Sequence, residues 1–214
     1  MRWWRRRIRG HGATSGYRIF RPACFAAAFL LAACASPPAP VDNAQALVYL
    51  STVKPDIDIR QLENRLHELV NTERVRHRLS PLRHIETLRL IARSHSRDMA
   101  QRAYFAHISP EGRDPTDRGN LAGYNCRKDY EFTYTYGLAE NIHQAWLYDS
   151  YITQNGITVP QDWFTLEGLA RRVVSGWMSS PGHRENILTA SYDRAGMGVA
   201  IATDGKVYST QNFC

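Results

Sequence analysis

The sequence predicts an α+β fold in which helices cover both faces of an antiparallel sheet, a three-layer α-β-α sandwich. Two patterns carry that expectation. Between residues 56 and 178, three stretches place apolar side chains at spacings of three and four, the mark of helices with one buried stripe. Residues 195–213 instead alternate in two runs joined by Asp204-Gly205, which reads as a hairpin. Helices in one part of the chain and paired strands in another keep the two kinds of element apart, and a sheet with two apolar faces needs helices on both.

The N-terminus reads as an address. Residues 1–22 are rich in arginine and lead into the apolar run Ala23–Leu31, then Ala32-Ala33-Cys34. That run is too short to cross ~30 Å of hydrocarbon, which takes about 20 residues. A basic stretch, a short apolar stretch and a small-residue cleavage site mark residues 1–33 as an export signal. Leu31-Ala32-Ala33-Cys34 resembles the bacterial lipobox, which implies that Cys34 is acylated and begins the mature chain. Two or more acyl chains hold a protein on a membrane surface. Ala35 in place of Asp implies the outer membrane in a Gram-negative cell. Residues 34–47 then form the lipidated cysteine and a Pro- and Ala-rich tether reaching up to ~40 Å, and a soluble domain is expected over residues 48–214.

Charge separates these parts. The chain of 214 residues carries 27 Lys+Arg against 20 Asp+Glu, and seven of the arginines but none of the acids fall in residues 1–33. The remainder is neutral, which argues against a strongly basic nucleic-acid binder. A content of 43% hydrophobic and 11% aromatic residues suffices to bury a core and argues against disorder.

Within the domain, Asp56 or Asp58 is placed to cap a first helix. Its stripe is Ile59, Leu62, Leu66, Leu69 and Val70, and it is expected to run to about Leu79 before Ser80-Pro81 stops it. A second helix, from about Glu86 to Phe105, aligns Leu88, Ile91, Ala92, His95, Met99 and Ala103. His95 therefore reads as a hydrogen-bonded core histidine. Residues 109–136, rich in Gly, Pro, Asp and Tyr, read as an irregular connection. A third helix is expected over Asp162–Met178 with Leu166, Leu169, Ala170, Val173, Val174 and Trp177 inward.

Four ordered fragments carry the chemistry: Tyr104–Gly112 with His107, Ala139-Glu140-Asn141-Ile142, Gly176–Leu188 with His183, and Gly196-Met197-Gly198-Val199-Ala200 leading to Thr210-Gln211-Asn212-Phe213. In this order they resemble bacterial members of the CAP superfamily, the cysteine-rich secretory, antigen 5 and pathogenesis-related proteins, also called the SCP domain. Asn71-Thr72-Glu73-Arg74 and Asp98-Met99-Ala100 match its earlier helices. The resemblance covers roughly residues 62–213. It implies the α-β-α sandwich with an open cleft lined by His107 and His183, with Glu140 beside them. Many relatives carry a second acid there, and in some the histidines bind a divalent metal. Here the second-acid position is Ser180, so the tetrad is incomplete. Glu167, earlier on the third helix, reads as a solvated residue and not as a substitute.

Local chemistry adds to this. Ser180-Pro181-Gly182-His183 has the form of an N-cap followed by Pro at the first helical position, which puts His183 in a first turn. The positive end of a helix favours neutral imidazole there. Ser180 reads as a cap and not a nucleophile, because no Gly-x-Ser-x-Gly elbow surrounds it. His67, His77, His84 and His143 read as surface or packing residues. Cys24 leaves with the export signal and Cys34 is acylated, so Cys126 and Cys214 remain as one intramolecular pair, expected to be oxidised outside the cytoplasm.

The expected function is that of a lipid-anchored envelope module without catalysis, binding a small apolar molecule, a divalent metal such as weakly held zinc, or an envelope protein through the cleft. Sterol and lipid binding among eukaryotic relatives is what the resemblance adds to that expectation. The competing reading is a hydrolase of peptide or cell-wall amides, with Glu140 and His183 as candidate catalytic groups acting on water. A purely structural role is a third.

Overall fold

A computed structural model describes residues 54–129 and 131–214 of the chain. The export signal, Cys34 and the tether lie outside the described residues. The first helix, α1 (Ile59–Arg76), starts at Asp58, whose carboxylate accepts from the backbone N–H groups of Arg60 at 2.8 Å and Gln61 at 3.0 Å. It ends before Leu79 because Arg78 turns left-handed, with φ 61°, and the Leu79 N–H returns to the Arg74 carbonyl at 2.9 Å. The two-residue strand β1 (Arg83–His84) leads into α2 (Glu86–Arg102). This helix buries Leu88, Ile91, Ala92, His95 and Met99 and stops at Ala103, φ 55°, short of the expected Phe105. Ala103 is exposed and leaves the stripe.

Residues 109–136 are more ordered than composition suggests. They contain α3 (Pro115–Leu121) and the ribbon β2 (Arg127–Asp129) and β3 (Tyr134–Tyr136). The Asp114 carboxylate accepts from Asp117 N–H at 2.8 Å, Asp117 reciprocates at 3.1 Å, and Pro115 opens the helix. A reciprocal cap with proline at the first position starts a helix without an apolar stripe. A second ribbon, β5 (Tyr148–Gln154) and β6 (Ile157–Trp163), follows β4 (Ala139–Trp146). Its turn is Asn155-Gly156, both at positive φ (51° and 77°). The third predicted helix is α4 (Leu166–Ser179); Asp162 and Trp163 belong to β6, and Thr165 caps the helix by accepting from Gly168 N–H at 3.1 Å. A short α5 (Pro181–Leu188) follows at once.

The expected hairpin is β7 (Arg194–Ile201) and β8 (Lys206–Phe213), and the main sheet runs β1-β7-β8-β4, antiparallel except for β1 against β7. Ala195, Met197, Val199, Val207 and Phe213 pack with Leu62, Leu66 and Val70 of α1 and Leu169, Val173 and Trp177 of α4. The other face carries α2. Gly196 and Gly198 permit that approach, since a Cβ on them would lie 2.1 Å from the Arg89 backbone nitrogen and 1.9 Å from that of Arg93. Covered on both faces, central β8 buries even Ser209, Thr210, Gln211 and Asn212. Beyond β1, the outer edge of β7 is met by Glu63 of α1, which accepts from Val199 N–H at 3.0 Å and from Arg89 at 3.1 Å and Arg93. That edge is thus closed by a buried ion-pair cluster joining the two helix layers. Cys126 and Cys214 form a disulfide, with their Cα atoms 5.6 Å apart, and share a buried cluster with Leu88, Ile91 and Leu138.

Candidate functional site

The α-β-α layering brings three distant segments to one end of β4. Glu140, near the start of that strand, is 6% exposed, and both of its carboxylate oxygens are engaged. Oε1 lies 3.0 Å from His107 Nδ1, and Oε2 accepts from Arg118 Nη2 at 2.6 Å. A carboxylate only accepts, so His107 carries its proton on Nδ1 and presents Nε2 outward. Arg118, from α3, also donates through Nη1 to the backbone carbonyls of His107 at 2.8 Å and Arg113 at 2.9 Å. It thereby holds the loop that delivers His107. His95 lies beneath, donating through Nε2 to the Ala106 carbonyl at 3.0 Å and standing 3.8 Å from Glu140 Oε1. Its pKa is lowered first by burial, the Glu140 charge opposing.

His183 faces His107 from the first turn of α5, with ring centroids 6.4 Å apart and planes at 56°. Asn141 and Asn186 fix it there. Asn141 Nδ2 donates to the His183 carbonyl at 3.0 Å, and Asn186 Nδ2 donates to Asn141 Oδ1 at 2.9 Å and to the Glu140 carbonyl at 3.3 Å. Burial, and then the neighbouring His107, push the His183 pKa down, so the ring is held neutral by those two causes. Ser180 occupies the N-cap position of α5, but its side chain makes no cap bond; its backbone N–H closes α4 on the Trp177 carbonyl at 3.1 Å. The cap expected of its hydroxyl is therefore not formed. Glu167 sits in an exposed network with Arg65 and Arg171, away from the cleft.

The structure thus gathers His107, Glu140 and His183 and adds Arg118 and His95, which the sequence did not assign to the site. Arg118 was signalled only indirectly, by the Asp114-Pro115-Thr116-Asp117 cap that starts its helix. His95 and Arg118 also line a hollow of about 730 Å³ with Leu90, Ile91, Leu121 and Arg102. Among the described residues no group of three or more His, Cys, Asp or Glu is arranged to hold a metal ion. The two nitrogen donors of the cleft are those of His107, at Nε2, and of His183.

Residues 67–213 match the model of CAP, the cysteine-rich secretory protein family. The chain belongs to this family. It is 29% identical over 161 residues to the uncharacterized protein YkwD of Bacillus subtilis, a match covering 75% of this chain and half of that relative. Among solved structures it is similar to an extracellular protein containing an SCP domain from Bacillus anthracis, at 26% identity and a TM-score of 0.50, covering 72% of this chain and 40% of that one. It also shares its fold with an outer surface protein of Borrelia burgdorferi, at 19% identity and a TM-score of 0.53, over 75% of this chain and 97% of that one.

Proposed function

We propose that the chain is an exported CAP-domain module, held to the cell envelope through acylated Cys34, which binds a ligand in the cleft between His107 and His183 and does not hydrolyse it. One observation argues against Glu140 as the base of a hydrolase. The Glu140 carboxylate is buried, with its oxygens turned to His107 and Arg118, whereas a general base must reach the water that it activates. Glu140 instead orients His107, and the cleft offers two imidazoles to a small molecule, a divalent metal or a partner protein. For zinc, His107 Nε2 and His183 would be the protein donors, and when bound the ion would supply Lewis acidity. Two nitrogens make an incomplete shell, so such binding is weak and reversible. Export is supported by the extracellular relative from Bacillus anthracis and by the lipobox. No helix among the described residues is long and apolar enough to cross a membrane.

Calorimetry with zinc on the wild-type chain and on His107→Ala/His183→Ala, beside digestion assays on purified cell wall, tests this reading. Weak zinc binding lost in the double variant, with no wall hydrolysis, supports it. Hydrolysis that disappears in Glu140→Gln would overturn it in favour of the enzyme. A Cys34→Ala chain that still fractionates tightly with membranes would remove the anchor.

A further inference from the structure

Far from Glu140, roughly 20 Å along β4 at a strand's rise per residue, the sheet ends in an aromatic shelf. Trp146 and Tyr148 lie nearly parallel, at 24° with centroids 5.4 Å apart. Tyr151 and Trp163 meet Tyr148 edge-on at 6.0 Å and 5.9 Å. Tyr148 is buried and seats the group, while Trp146 is 41% and Tyr151 58% exposed. Lys206, paired with Asp204 at 3.0 Å, lies 5.1 Å from the Trp146 ring centroid and braces that ring.

Two hollows flank the shelf and share its rings. One, of about 420 Å³, lies between the shelf and α4, with His143, Gln144, Asp149, Arg172, Ser175 and Ser179 in its wall. The other, of about 410 Å³, is lined by Trp146, Tyr148, Tyr151, Pro160 and Asp204. The His143 ring fits against α4 only because residue 176 is glycine: a Cβ there would stand 2.4 Å from His143 Cε1. The side chains of Asp149 and Arg172 form no ion pair or hydrogen bond among the described residues.

We propose that this shelf is a saccharide-binding site taking two adjacent pyranose units of an oligosaccharide, one in each hollow. The chemistry selects that class. An apolar ligand would strip water from Asp149 and Arg172 and return no hydrogen bond, which is costly. A polyanion would find no net positive charge, since Arg172 is offset by Asp149 in the same wall and Lys206 is paired with Asp204. A pyranose ring presents a C–H face to an aromatic ring and a rim of hydroxyls that both donate and accept, so it matches the rings and the unpaired charges together. The proposal does not depend on the His107/His183 cleft.

The full chain titrated with chitotetraose and, separately, cellotetraose tests it, with tryptophan fluorescence and calorimetry as readouts. Saturable binding of either is expected, and the pair distinguishes amino-sugar chains from plain glucose chains. Trp146→Ala and Tyr151→Ala should each weaken it by about tenfold or more, Trp146→Phe should retain most of it, and Ile157→Ser, outside both hollows, should leave it unchanged. If the alanine variants do not fold, the indole N–H resonance of Trp146 in the wild-type chain decides, and it must move on titration. No saturable binding below ~10 mM, binding that survives both alanine changes, or binding with an unmoved Trp146 resonance overturns the proposal.

Discussion

Arg118 Nη2 donates to Glu140 Oε2 at 2.6 Å, between side chains that are 11% and 1% exposed. The pair neutralises a carboxylate that would otherwise sit almost dry beside two histidines. Breaking a buried pair from one side leaves the other charge stranded, which costs about 3–5 kcal/mol. Glu140→Gln and Arg118→Met should each lose about that much by urea denaturation, and the double variant should lose clearly less than the two combined. Additive losses would show that the two groups do not act as a pair.

Arg74 is another buried cation, 1% exposed, and it faces only carbonyls: Ser80 at 2.8 Å, Ile187 at 2.7 Å, Thr189 at 2.9 Å and Tyr192 at 3.0 Å. One side chain of α1 thus ties down the end of α5 and the loop after it. Arg74→Met leaves four acceptors without their donor and should cost about 2–4 kcal/mol. Arg74→Lys, with fewer donors in no fixed fork, should recover only part of that. Hydrogen exchange should also rise in residues 187–192; unchanged exchange there would count against the tie.

How much of this was legible depended on where an apolar stripe marked the element. Leu62, Leu66 and Val70, or Leu169, Val173 and Trp177, announce their helices because burial imposes a helical period on them. α3 buries almost nothing and is announced only by the Asp114 and Asp117 cap. The β5–β6 ribbon was not read from the sequence: its turn Asn155-Gly156 is as good a hairpin signal as Asp204-Gly205, but it lies within a stretch whose exposed aromatics blur any alternation. At the site, His107, Glu140 and His183 were legible through the family likeness of their motifs. Arg118 was not, because its reach to Glu140 is created by the packing of α3 against β4, which no local pattern encodes. Ser180 misled for a related reason: its position beside Pro181 is that of a cap, but the junction of α4 and α5 leaves its side chain out of the bond.

The Cys126–Cys214 disulfide joins residues 88 apart in sequence and pins the end of β8 beneath α2. Such a cross-link is typically worth about 2–4 kcal/mol, mostly by constraining the unfolded chain. The Cys126→Ser/Cys214→Ser chain should fold with stability reduced by that amount, since the main core of α1, α4 and the sheet forms a cluster separate from that of the two cysteines. Thiol labelling of the unreduced, unfolded wild-type chain should find neither cysteine free. Two labelled thiols would remove the bond from the account.

Four histidines, His67, His95, His143 and His183, all have pKa values lowered from the ordinary 6.5, in each case chiefly by burial. Between the lowered folded value and 6.5 the unfolded chain binds more protons than the folded one, so stability rises with pH across that window. The contribution is fully present above about pH 6.5, falls as the pH drops below it, and levels off once the folded rings also protonate. Carboxylates do not blur this range. Glu86 and Glu167, bonded to Arg89 and Arg65, are held down to about 2 from 4.5, so their stabilisation is lost only at more acid pH. The urea midpoint should therefore fall steadily from pH 7.5 to 5. His95→Gln keeps a donor for the Ala106 carbonyl and removes the most deeply buried of these titrations, and it should flatten that slope even if it lowers stability at neutral pH. A wild-type midpoint that does not change over this range, or a slope untouched by His95→Gln, would show that these rings protonate as readily in the fold as outside it.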